Sequence, residues 1–164
     1  MRPQPERPGP GQESVWDYPR PPRLETTPAR LTVICGDRKV AETMQGLRIL
    51  ETSHPPTYYI PMSHVATDYL YPSQGESWCE WKGRARYYDI RINGQTWLQA
   101  CWYYPQPAVE YSALANHVCF YACRVDECRV NGEIVTPQPG QFYGGWITSN
   151  IVGPFKGIPG SQGW

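Results

Sequence analysis

The sequence has no excess of either charge: Lys+Arg and Asp+Glu each number 15 in 164 residues. A neutral chain presents no net field to draw in nucleic acid or an anionic membrane surface. Long apolar runs are also missing, and no stretch reaches the roughly 20 residues that a membrane-spanning helix needs. Met1 to Pro10 holds no apolar segment, so a secretory signal is not expected and a soluble, cytoplasmic protein is. The six cysteines (Cys35, Cys79, Cys101, Cys119, Cys123 and Cys128) include no CxxC pair. Reduced thiols are expected in that compartment, most of them as small buried side chains. The run Cys119-x3-Cys123-x4-Cys128, with His117 as the nearest fourth ligand, lacks the tight paired spacing of structural zinc sites. No metal or other cofactor is expected.

Phenylalanine is scarce as well, with 3 Phe against 12 Tyr and 7 Trp. Tyr and Trp combine a large apolar body with a polar tip, which suits both sheet packing and a wet cleft. The length fits one domain with a real core. Its 15 Gly and 18 Pro concentrate towards the ends, which implies arms around a compact centre. Residues 1–12 read as a disordered Pro-rich N-terminus. Residues 13–30 read as an extended arm, stiffened by Pro19, Pro21 and Pro22. Residues 31–135 form the core domain, and 136–164 a Gly/Pro/aromatic tail expected to dock back onto it.

The centre is a series of strand signals. Leu31–Cys35 is rich in β-branched residues and turns at Gly36–Asp37 into Lys39–Thr43. In Leu47–Glu51, alternation puts Leu47, Ile49 and Glu51 on one face, so an apolar row ends in a carboxylate. Thr57–Ile60 resumes after Pro55–Pro56. Ser63–Leu70 is the one segment with a helical pattern, Ser63 serving as its cap, and Pro72–Gly75 reads as a loop. Ser77–Ile92 is one long strand or a bent pair, whose row Lys82, Arg84, Arg86 continues as Tyr88, Ile90, Ile92. Asn93–Gly94 and Asn131–Gly132 are hairpin turns. A strand over Thr96–Tyr104 follows the first of them. A helical turn near Val109–Asn116 and strands at Val118–Tyr121, Arg124–Val130 and Glu133–Val135 complete a mainly β fold.

Several of these pieces fall into one familiar order. They are Glu13–Pro22 (ESVWDYPRPP), Leu50–Glu51–Thr52, Pro56–Pro61 (PTYYIP), Cys79–Gly83 (CEWKG), Trp102–Pro105 (WYYP) and Phe120–Tyr121. In this the chain resembles the family known as domain of unknown function 427, also labelled nucleotidyltransferase family 9. The resemblance spans most of residues 13–135. It implies a β-tent (Mss4-like) fold, two antiparallel sheets meeting at an angle, with one short helix. Zinc-binding members of that fold carry two CxxC pairs that this chain lacks, so zinc is not carried over. The chain has His64 where the family pattern is acidic, and Glu80 where proline usually follows the motif cysteine, so a shared substrate is not implied. No Gly-rich phosphate-cradling loop accompanies the transferase label.

Glu51 and Lys82 stand out as catalytic candidates, Glu51 as acid or base and Lys82 as anion holder or proton partner. The structural alternative is an ion pair closing the sheets. Cys79 is either a nucleophile activated by Lys82 or a buried thiol. Tyr58, Tyr59, Trp102, Tyr104 and Tyr121 either wall a ligand pocket or pack the core. A nucleic-acid reading of Lys82, Arg84 and Arg86 beside Tyr87 and Tyr88 is opposed by the neutral charge and by having only 3 Lys. The three histidines, His54, His64 and His117, are scattered in sequence and suggest no metal site. Two functions from different classes remain. One is a small-molecule binding or catalytic pocket around Glu51 and Lys82. The other is a non-catalytic module that uses the arm and the aromatic tail to hold a protein partner.

Overall fold

A computed structural model describes residues 2–164; of the N-terminal segment 1–12, Met1 lies outside the described residues. The chain is mainly β. In order, its strands are β1 (Glu13–Ser14), β2 (Arg23–Thr27), β3 (Leu31–Cys35), β4 (Arg38–Thr43), β5 (Gly46–Leu50) and β6 (Thr57–Pro61). There follow β7 (Leu70–Cys79), β8 (Gly83–Ile92), β9 (Gln95–Tyr103), β10 (His117–Phe120), β11 (Glu127–Val130) and β12 (Glu133–Ile134). Five strands have only two residues: besides β1 and β12 these are β13 (Thr136–Pro137), β14 (Trp146–Ile147) and β15 (Ile151–Val152), the last three lying in the tail.

Two antiparallel sheets carry the fold. Seven strands run in the order β2-β5-β6-β10-β9-β8-β7, and four in the order β12-β11-β3-β4. Three tight turns set the local pairing, at Gly36–Asp37, Asn93–Gly94 and Asn131–Gly132. Both residues of each turn have positive φ, the backbone that a two-residue type I′ hairpin requires. Cys35 accordingly faces Arg38, Ile92 faces Gln95, and Val130 faces Glu133.

Alternation along the strands then divides the apolar side chains between two layers. Leu31, Val33 and Val40 of the smaller sheet meet Tyr58, Ile60, Ile90, Val118 and Phe120 of the larger one in the main core. Their odd-numbered and even-numbered neighbours, Tyr59, Trp102 and Cys119, turn to the opposite face and pack with Leu47, Ile49, Tyr104 and Tyr121. The seven-stranded sheet is therefore apolar on both faces. Its outer face is the one that bears the cleft described below.

The arm and the tail meet over the loop 51–56. Glu13 and Ser14 pair in parallel with Ile151 and Val152. Trp16 donates its indole N–H to the Pro154 carbonyl at 2.9 Å and packs edge-on against Trp164. From the tail, Trp146 is wholly buried and donates to the Phe120 carbonyl. The loop is held from both sides. Ser53 N–H donates to the Val15 carbonyl, and Lys156 N–H donates to the Ser53 carbonyl. Ser53 itself is buried with φ 73, a left-handed conformation uncommon for a residue with a side chain.

The helix expected at Ser63–Leu70 does not form. Two single 3-10 turns, Met62–His64 and Thr67–Tyr69, stand there instead. Between them Val65 bridges to Ala41, and Ala66 N–H donates to the Val40 carbonyl, so pairing with β4 displaces the helical hydrogen bonds. The loop expected at Pro72–Gly75 lies inside β7, where the register with β8 shifts between Pro72 and Glu76. The extra residues are absorbed as an irregularity of an edge strand, with Gly75 at φ 94. Among the described residues no helix is long and apolar enough to cross a membrane.

Candidate functional site

A cleft of about 350 Å³ opens on the outer face of the seven-stranded sheet, under the tail. Strand parity supplies its floor: Ile49 from β5, Ala85 and Tyr87 from β8, and Trp102 from β9, with Tyr104 and Tyr121 just beyond the strand ends. Trp102 and Tyr121 pack with ring centroids 4.5 Å apart. The tail closes one side with Gly144, whose lack of a side chain lets the backbone lie directly on the Trp102 ring. At the mouth stand Trp78 and Phe142, 74% and 76% exposed. Both rings line the cleft with most of their surface open to water.

The charged groups enter from three separate parts of the chain. Glu51 continues the apolar row of Leu47 and Ile49 into the cleft, as alternation requires. Its Oε2 lies 3.4 Å from Arg20 Nε of the arm and 3.8 Å from His54 Nε2. Arg20 is steadied in turn by the carbonyls of Thr52 and Trp164. Lys156 of the tail lines the cleft and donates to the Trp164 carbonyl at 3.2 Å. Lys82 comes from the turn between β7 and β8, which is pinned when Ala108 N–H donates to the Lys82 carbonyl. Lys82 is only 8% exposed and lines the cleft. Among the described residues its ammonium has neither a carboxylate within 4.0 Å nor a hydrogen-bond acceptor.

His54 sits at the centre of this set, and its tautomer follows from its neighbours. Gln138 accepts from Gly145 N–H through Oε1 at 3.0 Å and donates through Nε2 to the Lys156 carbonyl at 2.9 Å. Those two partners leave the amide one orientation, since a flip would set N–H against N–H and oxygen against oxygen. Gln138 Nε2 therefore donates to His54 Nδ1 at 3.0 Å. The ring proton resides on Nε2, directed at Glu51. Burial pushes the imidazole down to about 3, and the nearby charges of Lys156, Arg20 and Lys82 push the same way. His54 is a neutral donor across the physiological range.

The sequence model described as Domain of unknown function (DUF427) matches residues 23–131. The chain belongs to this family. No curated protein matches it. The DUF427 segment contains Glu51, His54, Cys79, Lys82 and Trp102, while Arg20, Gln138, Phe142, Tyr143 and Lys156 lie outside the matched range. The cleft is thus a composite of the family segment and its two flanks.

Within the DUF427 segment, Glu51, Cys79, Lys82, Trp102, Tyr104 and Tyr121 all line the cleft, as does Glu80. Tyr58 and Tyr59 do not. Tyr58 packs against Trp146 in the main core. Tyr59 is wholly buried beneath Trp102, 6.1 Å between rings. The direct Glu51–Lys82 ion pair is not formed either; the charged partner of Glu51 is Arg20. Cys79 has no histidine hydrogen-bonded to it among the described residues. Arg84 and Arg86 leave the cleft, project to solvent and approach Glu76 at 3.6 and 3.9 Å. His64 lies elsewhere, hydrogen-bonded to Thr43. Cys119 and Cys128 are buried and Cys123 is exposed; among the described residues no group of three or more His, Cys, Asp or Glu is placed to hold a metal. Sequence reasoning missed His54, Gln138, Arg20 and Lys156. The one available signal was the position of His54 three residues after Glu51, in the loop flanked by Pro55 and Pro56.

Proposed function

We propose that the chain is a small-molecule protein whose cleft captures a compact organic anion, with Lys82 as its anchor and Glu51 as its acid–base group. Lys82 carries this reading. Its residue is only 8% exposed and, among the described residues, no carboxylate stands within 4.0 Å of its ammonium, so an incoming carboxylate would supply a counter-charge at hydrogen-bonding distance. Arg20 and Lys156 add positive charge around the same space. The aromatic floor and the exposed Trp78 and Phe142 favour a ligand with a flat, apolar body. The cleft volume suits a molecule of one or two rings. Cys79, beside Lys82, contributes to the wall.

The test is a thermal-shift screen of the protein with a panel of aromatic and aliphatic carboxylates, repeated with Lys82→Met. Aromatic acids are expected to raise the Tm of the wild type and leave that of the variant unmoved. A second reading, a protein-interaction module, is favoured by the exposure of Trp78 and Phe142. Trp16 of the arm, which that reading also needs, is buried. No shift with any carboxylate would favour the module over the anion site.

A further inference from the structure

The anion site leaves the His54 tautomer without a purpose. Gln138, oriented by Gly145 and the Lys156 carbonyl, gives one N–H of its amide to Nδ1, so that the imidazole N–H faces the cleft on the other side. At 3.8 Å, the gap from His54 Nε2 to Glu51 Oε2 is too long for a hydrogen bond. The N–H has no other acceptor among the described residues. A neutral donor and a carboxylate therefore look at the same space without satisfying each other, next to an unpaired lysine. A purely structural Glu–His contact would close to about 2.8 Å.

We propose, resting on the reading of the cleft as an anion site, that it catalyses the enolisation of a 2-oxo carboxylate bearing an aromatic group on C3. Lys82 holds the carboxylate, the His54 Nε2–H donates to the 2-oxo oxygen, and Glu51 moves the proton. The carboxylate of Glu51 takes a proton from C3. The C–H electron pair becomes the C2–C3 double bond, and the carbonyl π pair moves onto oxygen to give the enolate. The proton held on Glu51 then passes to that oxygen, giving the enol, or returns to C3. Atoms and charge balance without an oxidant, a reductant or any further reactant. A neutral imidazole is the appropriate donor here, because it stabilises the developing oxyanion without surrendering its own proton. Trp102 and Tyr121 of the floor, with Trp78 and Phe142 at the mouth, would receive the aromatic ring and favour the planar, conjugated enol.

The probe is phenylpyruvate. Loss of its C3 proton signal in D2O, followed by proton NMR, is expected to run on the order of 10²-fold faster with protein than without, the usual scale of one general base. Glu51→Gln is expected to abolish the acceleration and keep the Lys82-dependent thermal shift. Glu51→Asp, with a retained but retracted carboxylate, should recover part of the rate. Gln138→Leu, acting through His54, should lower kcat and leave KM nearly unchanged. Lys82-dependent binding of phenylpyruvate with no faster exchange would overturn the enolisation and leave the anion site standing. Binding of other aromatic acids, but not of phenylpyruvate, would overturn the substrate class alone. An equal rate in Glu51→Gln would remove Glu51 as the base. Pyruvate exchanging as fast as phenylpyruvate would overturn the aromatic requirement. Failure of every carboxylate to bind would overturn both readings.

Discussion

Two charged clusters join the N-terminal arm to the same sheet, and they are built in opposite ways. Around Arg48, every group is satisfied within the chain. Its guanidinium donates to Glu13 and Glu25 at 2.6 Å each, and the Tyr18 hydroxyl donates to Glu13 at 2.7 Å. Burial pushes the Glu13 carboxyl up, yet the hydrogen bonds and charge of Arg48, with the Tyr18 hydroxyl, outweigh it and hold the group below the usual carboxylate range. Around Glu51 the contacts are looser, at 3.4 and 3.8 Å, and Lys82 has no ion-pair partner among the described residues. The first cluster is closed and fastens residues 13–18 to β2 and β5. The second is open, and its unspent hydrogen-bonding capacity faces a cleft. Charges that a protein satisfies internally serve its fold, and the contrast between the two clusters is what sets the cleft apart as a candidate site.

The largest expected effect falls on the closed cluster. Arg48→Met strands two partly buried carboxylates and should lower stability by on the order of 2–3 kcal/mol, seen as a Tm fall of roughly 5–10 °C. A negligible change would mean that the closed cluster is ornamental and the contrast with the cleft unfounded. Gly144→Ala comes next. The added methyl would fall inside the Trp102 ring, so the ring or the tail must shift, at a cost of about 2 kcal/mol and with altered tryptophan fluorescence.

Acid sensitivity should come third, and it belongs to the open cluster. His54 takes up a proton near pH 6.5 when unfolded, but only near 3 when folded. Between those values the unfolded state binds more protons, so stability falls as pH falls through the window. The slope is at most about 1.4 kcal/mol per pH unit, or roughly 1–2 kcal/mol between pH 6.5 and 5. Urea titrations at both pH values, with His54→Gln beside the wild type, check this: the variant should lose that part of the dependence. The smallest effect is expected at Lys82→Met. Removing a charge that has no carboxylate partner among the described residues should leave the Tm nearly unchanged. A marked loss there would show that Lys82 holds the fold after all and would make the two clusters alike.

The legibility of this chain follows the range of the forces involved. Most central strands, the three glycine-containing turns and the mainly β character were readable because alternation and turn chemistry act within a few residues; β2, read as arm, and most of β7, read as helix and loop, were not. So was the placing of Glu51 at the end of the Leu47–Ile49 row, since parity alone put it on the floor's side of β5. Parity also separated Tyr58 from Tyr59, but which face would bear the cleft depended on where the four-stranded sheet lay. The Ser63–Leu70 helix was misread for a similar reason, because Val65 is captured by a strand more than twenty residues earlier in the chain. Arg20, Gln138 and Lys156 were invisible as site residues. They lie in the arm and the tail, and only the packing of both over residues 51–56 brings them to His54. Local sequence thus determined the strands and one carboxylate of the site. Tertiary structure alone decided its partners, because a hydrogen bond across more than eighty residues leaves no periodic trace in the chain.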